Sequence, residues 1–569
     1  MNIRKIQMMA ISFLLVGSIL FTSCNTDSTA IQFTIRDQVL NQVDSRLFGQ
    51  FLERATFGEP GPEVALDPKT NQLKPQISEL IKNMNIPLIR FPGGTDIDYS
   101  DWRDLIDNVP GRVDSNHPAK VRGTGKEMIT TKFGYDEFLT YAEELQTETL
   151  IPLNLREGLA GQISLQEAAL NAAGLVAYCN APIGAKLPKG MPDWPSIRAL
   201  NGHPAPYKVK YFQLGNEILA YADMLLNGYG YENDKEKAKY FVKVIQTYIE
   251  EIKLVDPTVE ILLDALLGKT TDLVLRDAYV CKNVQYLAVH QYQPLAFSSV
   301  TKDGVEYPKD KLTFDEMWYA SVMTPYIDQN GKAYFADNVM DVVQKQKAKV
   351  WKAAMTEWNF NGGGWGDVNI WNKGMHSLLA KGLGAAGFLN AFIRAGDTFK
   401  IATQSNLLGA GWDIGAIYVD KNGKIPSNYR PTGLMTALYS KYHGSNRLDM
   451  SEQNVPTYEQ PYSMGGVVAN KKVAMIDAVV TASNNAIYFH AINRDLYKSQ
   501  MIQIDCSAFR NLKGSAILHY VTGSQTDPMP YGQVEVAQMH DVPLSFTENK
   551  LSVTLPERSV CVVEIVRNS

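Results

Sequence analysis

Eight short runs of apolar and β-branched residues punctuate the chain between residues 47 and 404: Leu47–Leu52, Ile86–Phe91, Leu150–Leu155, Val209–Leu214, Glu260–Leu263, Val284–His290, Lys352–Trp358 and Lys400–Gln404. Each has strand length and a β-rich composition. Between several of them lie segments such as Phe133–Leu145 and Lys237–Ile252, whose apolar positions recur at helical spacing. Alternating strand and helix predicts parallel strands with helices outside, and eight is the number that closes a (β/α)8 barrel.

Beyond about Arg430 the period shortens to two, with turn residues between the runs Ala486–Ala491, Ala516–Val521, Leu551–Leu555 and Val560–Val566. That texture predicts a C-terminal antiparallel β-sandwich. Ile31–Ile35 precedes the barrel and has the same character, so it is expected to join the sandwich. The plan is a barrel over 47–430 and a sandwich over 431–569. All eight tryptophans, Trp102 to Trp412, fall in the barrel segment, and a sandwich without aromatic platforms is expected to be structural. Two long segments, Thr95–Thr131 and Gln293–Lys349, follow predicted strands and are expected to wall a cleft on the C-terminal face. Within the second, the polar stretch Ser298–Lys311 reads as a surface elaboration.

Residues 1–23 read as a signal peptide: Arg4 and Lys5 precede the apolar stretch Met8–Phe21, which ends in Phe21-Thr22-Ser23-Cys24. A cysteine at the cleavage point resembles a bacterial lipoprotein signal, with Cys24 lipidated and residues 24–46 supplying a tether and the N-terminal strand. The expected location is the bacterial cell envelope, periplasmic or at the surface. The lipid would be the only membrane attachment, since no other apolar run is long enough to span a bilayer. Cys179, Cys281, Cys506 and Cys561 are too sparse for a disulfide framework in 569 residues. A net charge of −5 and no long basic run argue against nucleic acid as a partner. The eight histidines show no metal-ligand spacing, so neither metal nor cofactor is expected.

Predicted strand four ends in Leu214-Gly215-Asn216-Glu217 and predicted strand seven in Met355-Thr356-Glu357-Trp358-Asn359. Each places a carboxylic acid at the C-terminal end of a barrel strand, where barrels carry their active sites. A single glutamate there is ordinarily an ion-pairing residue. Two of them meet the minimal need of glycosidic bond cleavage: an acid to protonate the leaving oxygen, and a carboxylate to support the oxocarbenium-like transition state.

Leu47-Phe48-Gly49-Gln50-Phe51-Leu52-Glu53, Ile89-Arg90-Phe91-Pro92-Gly93-Gly94, Leu214-Gly215-Asn216-Glu217 and Thr356-Glu357-Trp358-Asn359 resemble successive motifs of glycoside hydrolase family 51, mainly α-L-arabinofuranosidases of clan A. The resemblance runs on through Phe133-Gly134-Tyr135-Asp136 and Asn201-Gly202-His203-Pro204 to Leu555-Pro556-Glu557-Arg558. It implies a retaining enzyme acting on non-reducing terminal sugars of a complex oligo- or polysaccharide. Glu217 would be the acid/base and Glu357 the nucleophile, their carboxyl groups about 5 to 5.5 Å apart. By the same resemblance Asn216 would bind the hydroxyl next to the anomeric carbon, Arg90 would hold the nucleophile ionised, Glu53 would bind sugar hydroxyls and Tyr292 would donate to Glu357. His290 would take an orienting or core role. A sugar-binding glutamine on strand eight corresponds to Gln404 or to the position of Thr403, with Gln404 preferred.

Departures from the family pattern cluster near the substrate. Thr95 stands for Asn after the paired glycines, Arg54 for His after Glu53, Arg156-Glu157 for small residues after strand three, and Ile218-Leu219-Ala220 for the usual run after the acid. They leave open a clan A glycosidase of different sugar or endo specificity. A non-catalytic glycan-binding lipoprotein is the alternative from another class, and it has no need of the acid/nucleophile pair. Gly409-Ala410-Gly411 with Gly415 lacks the first-strand context of a dinucleotide site, and Gly362-Gly363-Gly364 lacks the Lys-Ser or Lys-Thr of a phosphate loop.

Overall fold

The computed structural model describes residues 30–54, 61–107, 119–120, 128–129, 132–218, 233–264, 269–294, 299–323, 325, 349–360, 377–410, 414–420, 424, 426–524, 537–545 and 548–568. The expected signal segment, Cys24, Gly362-Gly363-Gly364 and parts of both cleft-wall segments lie outside them.

A closed barrel of eight parallel strands forms the first layer. In order they are Gly49–Phe51, Leu88–Arg90, Glu148–Leu153, Tyr211–Leu214, Glu260–Asp264, Tyr286–Tyr292, Lys352–Asn359 and Phe399–Ser405. Side chains alternate across each strand. Leu88, Leu150, Tyr211, Leu262, Tyr286, Ala288, Ala354 and Ile401 meet inside the barrel. Their neighbours Ile89, Ile151, Phe212, Leu263, Leu287, Met355 and Ala402 pack outward into the main core. Double-sided burial accounts for the apolar residues on both faces of these strands. The first strand is shorter than its apolar run because Asp44 accepts a hydrogen bond from the Arg46 amide at 3.1 Å, capping a 3-10 turn over Ser45–Phe48.

Two of the longer helices start where the sequence supplies an acceptor for the unpaired first-turn amides. Ser164 accepts from the Glu167 amide at the start of Leu165–Asn180, and Asn233 from the Lys235 and Glu236 amides at the start of Asp234–Val255. Helix Pro431–Lys441 belongs to this outer layer: it packs on Leu378–Ala395, and its Thr436 hydroxyl donates to Gln404 Oε1 of the eighth strand at 2.8 Å. The change of layer therefore falls just before Asn446, not at 431, because an apolar helix intervenes where the texture shift was expected.

The second layer is one continuous nine-stranded sheet. Strand Ile31–Gln42 sits within it, antiparallel to Asn446–Gln453 and parallel to Gln500–Asp505. That parallel pairing departs from a purely antiparallel sandwich; the strand precedes the barrel, so no hairpin constrains its direction. The sheet has a core of its own, in which the Phe33 and Phe489 rings lie 5.0 Å apart. Cys179, Cys506 and Cys561 are buried free thiols and Cys281 is half-buried and free. No helix among the described residues is long and apolar enough to cross a membrane.

Candidate active site

The fourth strand hands over to the cleft through a tight turn. Gly215 adopts φ +72°, and a Cβ there would lie 2.8 Å from Ile218 Cγ2. Two residues on, Glu217 sits at φ +53°, a conformation that costs a residue with a side chain about 1–3 kcal/mol and tends to mark functional turns. Its side chain keeps 29 % exposure, whereas Asn216 beside it is buried.

The seventh strand delivers its glutamate by another device. Against the sixth strand, Met355 pairs with Val289 and Glu357 with His290, so Thr356 is an extra residue. Ala354 faces the barrel interior and Met355 the helices. Strict alternation from there would turn Thr356 in and Glu357 out. The bulge resets the phase and brings Glu357 inward as well.

Around these ends the polar groups interlock. Arg90, fully buried on the second strand, donates to Glu357 Oε1 at 2.9 Å and to Asn216 Oδ1 at 2.6 Å, with its guanidinium 4.5 Å over the Phe51 ring. Tyr292 donates to Glu357 Oε2 at 3.0 Å and meets Ser405 Oγ at 2.8 Å. Burial, then the negative charge of Glu357, raises the Tyr292 phenol well above its ordinary value, so it stays a donor. His290 lies between the two glutamates, Nδ1 2.9 Å from Glu217 Oε1 and 3.7 Å from Glu357 Oε2, while Nε2 meets Thr356 Oγ1 at 3.0 Å. Burial opposes its charge, but Glu357 and Glu217 outweigh that and lift its pKa. Oxygens of Glu217 and Glu357 approach within 4.8 Å. That is on the near side of the division between about 5–5.5 Å for retaining and about 6.5–9.5 Å for inverting pairs.

Glu217, His290 and Glu357 are also spaced to grip a cation. The Arg90 guanidinium on Glu357 Oε1 already fills the countercharge role, and its own charge would repel a metal. Glu53 completes the acidic rim; a Cβ on Gly94 would strike its carboxylate, so only glycine lets it lie there. Burial first, then Glu357, drives the Glu53 carboxyl well above its ordinary range against the pull of Arg90. A protonated Glu53 can donate as well as accept.

Of the residues singled out from sequence, Glu53, Arg90, Asn216, Glu217, Tyr292 and Glu357 converge. Gln404 does not. Ile401 faces inward, so Thr403 and Ser405 do too, while Gln404 turns out, its Oε1 accepting from Gln50 at 3.0 Å and from Thr436. Arg54 also faces away from the glutamates, in a buried ion pair with Asp96 at 2.8 Å. Arg156 lies 4.4 Å over the half-exposed ring of Tyr99. Sequence reasoning missed Asp98, Thr356 and Ser405. Two aspartates close behind Gly93-Gly94 were a visible cue for Asp98, yet their spacing does not say which one turns toward the catalytic turn.

A loop of the C-terminal part, between the paired strands Thr457–Gln460 and Asn470–Ala474, also reaches this face. The Gly466 carbonyl accepts from the Gln293 side chain, one residue past Tyr292, and Ser463 bridges to Thr301 of the hairpin Ser299–Pro308. That hairpin, exposed throughout Val305–Pro308, fits the surface elaboration expected for Ser298–Lys311 and is tied at Thr301 to the C-terminal part of the chain.

Comparison with known proteins gives a consistent direction. A family model, the alpha-L-arabinofuranosidase 1 domain, matches residues 80–303. Alpha-L-arabinofuranosidase C of Emericella nidulans is 30 % identical over 272 residues, 46 % of each chain. The intracellular exo-alpha-(1->5)-L-arabinofuranosidase of Bacillus subtilis is 28 % identical over 271 residues, 45 % of this chain and 47 % of that one. The matches to these two relatives thus span about half their length. An enzyme of the same description from Halalkalibacterium halodurans is 22 % identical over 94 % of this chain and 99 % of its own. In fold, the chain is similar to the arabinose complex of Thermotoga maritima alpha-L-arabinofuranosidase, with a TM-score of 0.69, 18 % identity and coverage of 94 % of this chain and 100 % of that one.

Proposed function

We propose, for a chain that is arabinofuranosidase-like and carries the barrel-and-sandwich fold of glycoside hydrolase family 51, that it hydrolyses α-L-arabinofuranosides with retention of configuration. The observation that carries this is the pair of carboxylates within 4.8 Å, each with different partners. Glu357 has a donor on both oxygens, which aims it as a nucleophile at the anomeric carbon. Glu217 lies at the exposed edge beside His290, suited to protonate the departing oxygen and then to activate water for the second displacement. Because Arg90 holds Asn216 Oδ1, the Asn216 Nδ2 group is left as the donor for the sugar hydroxyl beside the reacting carbon. Such a contact strengthens as positive charge develops.

Release of single terminal arabinose units is supported by the names of the relatives. The outward turn of Gln404 favours a second reading, retention with a different terminal sugar. A panel of aryl glycosides and defined oligosaccharides separates the two, and no turnover of any furanoside or pyranoside would sink both. Glu357→Ala should abolish hydrolysis. Glu217→Ala should spare aryl substrates with good leaving groups, which need no protonation, and equal loss on all substrates would remove Glu217 from the acid role. Attachment to the cell envelope through a lipid on Cys24 rests on the basic, apolar and cysteine pattern of residues 1–24; fatty-acid labelling that persists in Cys24→Ala would overturn it.

A further inference from the structure

Asp98 lies in the turn after the second strand and is 2 % exposed. Its carboxylate accepts three backbone amides from two other strand ends: Oδ2 takes Asn216 N at 2.9 Å, and Oδ1 takes Leu155 N at 3.1 Å and Arg156 N at 3.3 Å. The Asn216 amide belongs to the turn that lifts Glu217 into its left-handed conformation, immediately ahead of the acid/base. A strained turn persists only where its surroundings over-determine it. Asp98 grips this one at the Asn216 amide, while the Gln213 side chain donates to the Gly215 carbonyl at 2.8 Å and the Gly215 amide to the Leu153 carbonyl at 2.9 Å.

We propose that Asp98 is a positioning residue that sets the acid/base Glu217 over the scissile bond, by clamping the end of the fourth strand to the end of the third. The inference rests on the glycosidase reading for its kinetics but not for its geometry. No other described side chain accepts the Asn216 amide. Within the site, Arg90 donates to Asn216 Oδ1 and His290 meets Glu217 Oε1. Loss of the clamp would let the Gly215–Asn216 peptide, and with it the Asn216–Glu217 peptide that follows, relax, while Glu357, held separately by Arg90 and Tyr292, keeps its place.

Burial pushes the Asp98 carboxyl up to about 7, with its three amide donors pulling the other way and Asp264 of the fifth strand adding repulsion. Tyr248, on helix Asp234–Val255, faces it from the other side. The clamp is thus strongest as the carboxylate and loosens as pH falls through that value, because a protonated oxygen is a poorer acceptor. The acid limb of the activity profile is expected to carry this group.

Asp98→Asn keeps shape and one acceptor but cannot titrate, and it presents an NH2 to an amide donor. On an oligosaccharide with a poor leaving group its kcat should fall by about tenfold to a hundredfold, with KM changed far less. On an activated aryl substrate the loss should be several-fold smaller, and the acid limb seen in the wild type should flatten. Equal loss across leaving groups, or an unchanged acid limb in a folded variant, would overturn the proposal. A crystal structure of Asp98→Asn supplies the arm independent of turnover. A displaced Asn216–Glu217 peptide with Glu357 in place is expected, and an unmoved peptide would overturn the clamp. Should the wild type hydrolyse no glycoside, the functional reading fails while this structural arm still decides the clamp.

Discussion

At the scale of residues, the site works because each charged group is answered by a specific partner. His290 is the clearest case. It shares its imidazole between the two glutamates and the Thr356 hydroxyl, and its pKa is raised above 6.5 by Glu357 and Glu217 in spite of burial. A group that binds its proton more tightly when folded stabilises the fold below its unfolded pKa, and that contribution disappears as pH rises through the folded value. The melting temperature of His290→Gln should therefore trail the wild type most at about pH 5.5, with the gap narrowing toward about pH 9. A gap independent of pH would show that His290 stays neutral throughout.

At the scale of elements, two strand ends deliver equivalent glutamates by unlike means, a left-handed turn after the fourth strand and a bulge in the seventh. The turn depends on Gly215. Alanine there meets both the steric cost of φ +72° and the approach to Ile218, so Gly215→Ala should destabilise by about 1–3 kcal/mol. Because the shift is passed on to Glu217, kcat should fall by more than the loss of stability explains. A calorimetric scan paired with steady-state kinetics checks both, and unchanged values in either would mean that the turn tolerates a side chain. The bulge explains why Glu357, Trp358 and Asn359 follow the phase they do, with Trp358 against Phe388 and Phe392 of the outer helix.

At the scale of the molecule, barrel and sheet are joined by a buried polar junction. Asp477 of the sheet pairs with Arg394 of the barrel helix Leu378–Ala395 and with Arg494 at 3.1 Å. Arg494 also donates to the Val322 carbonyl at 3.0 Å, and its own carbonyl accepts from Trp318 at 2.9 Å. Burial alone would raise the Asp477 carboxyl, yet the two guanidinium groups outweigh it and depress the pKa. Its stabilisation is present above the ordinary carboxylate value and is lost as pH falls through the depressed one. Asp477→Ala leaves Arg494 buried without its countercharge and should cost about 3–5 kcal/mol. Since every tryptophan lies in the barrel segment, urea denaturation followed by tryptophan fluorescence reports on the barrel and, through Trp318, on the junction itself. A midpoint that drops by fluorescence as well as by circular dichroism is expected. An unmoved fluorescence midpoint would mean that the junction steadies only the sheet.

The pattern of the chain by itself determined the barrel's strand count, the order of the two layers and the place of the two strand-end glutamates, because these follow from local periodicity and from acids that end apolar runs. Barrel strand ends shifted by at most two residues, as with Gly49–Phe51, where a capping aspartate outside the run intervened. Only the tertiary structure decided which way particular side chains face. Glu357 turns inward through a bulge that exists only in its pairing with the sixth strand, and Gln404 turns outward because Ile401 fixes the phase of the eighth. Arg54 leaves the pocket for Asp96, 42 residues away, and Asp98 meets amides 57, 58 and 118 residues away. For Glu357 and Gln404 the reason is that orientation across a sheet depends on register with strands distant in sequence; for Arg54 and Asp98 it is that their partners come from distant stretches of the chain, and a local reading contains neither.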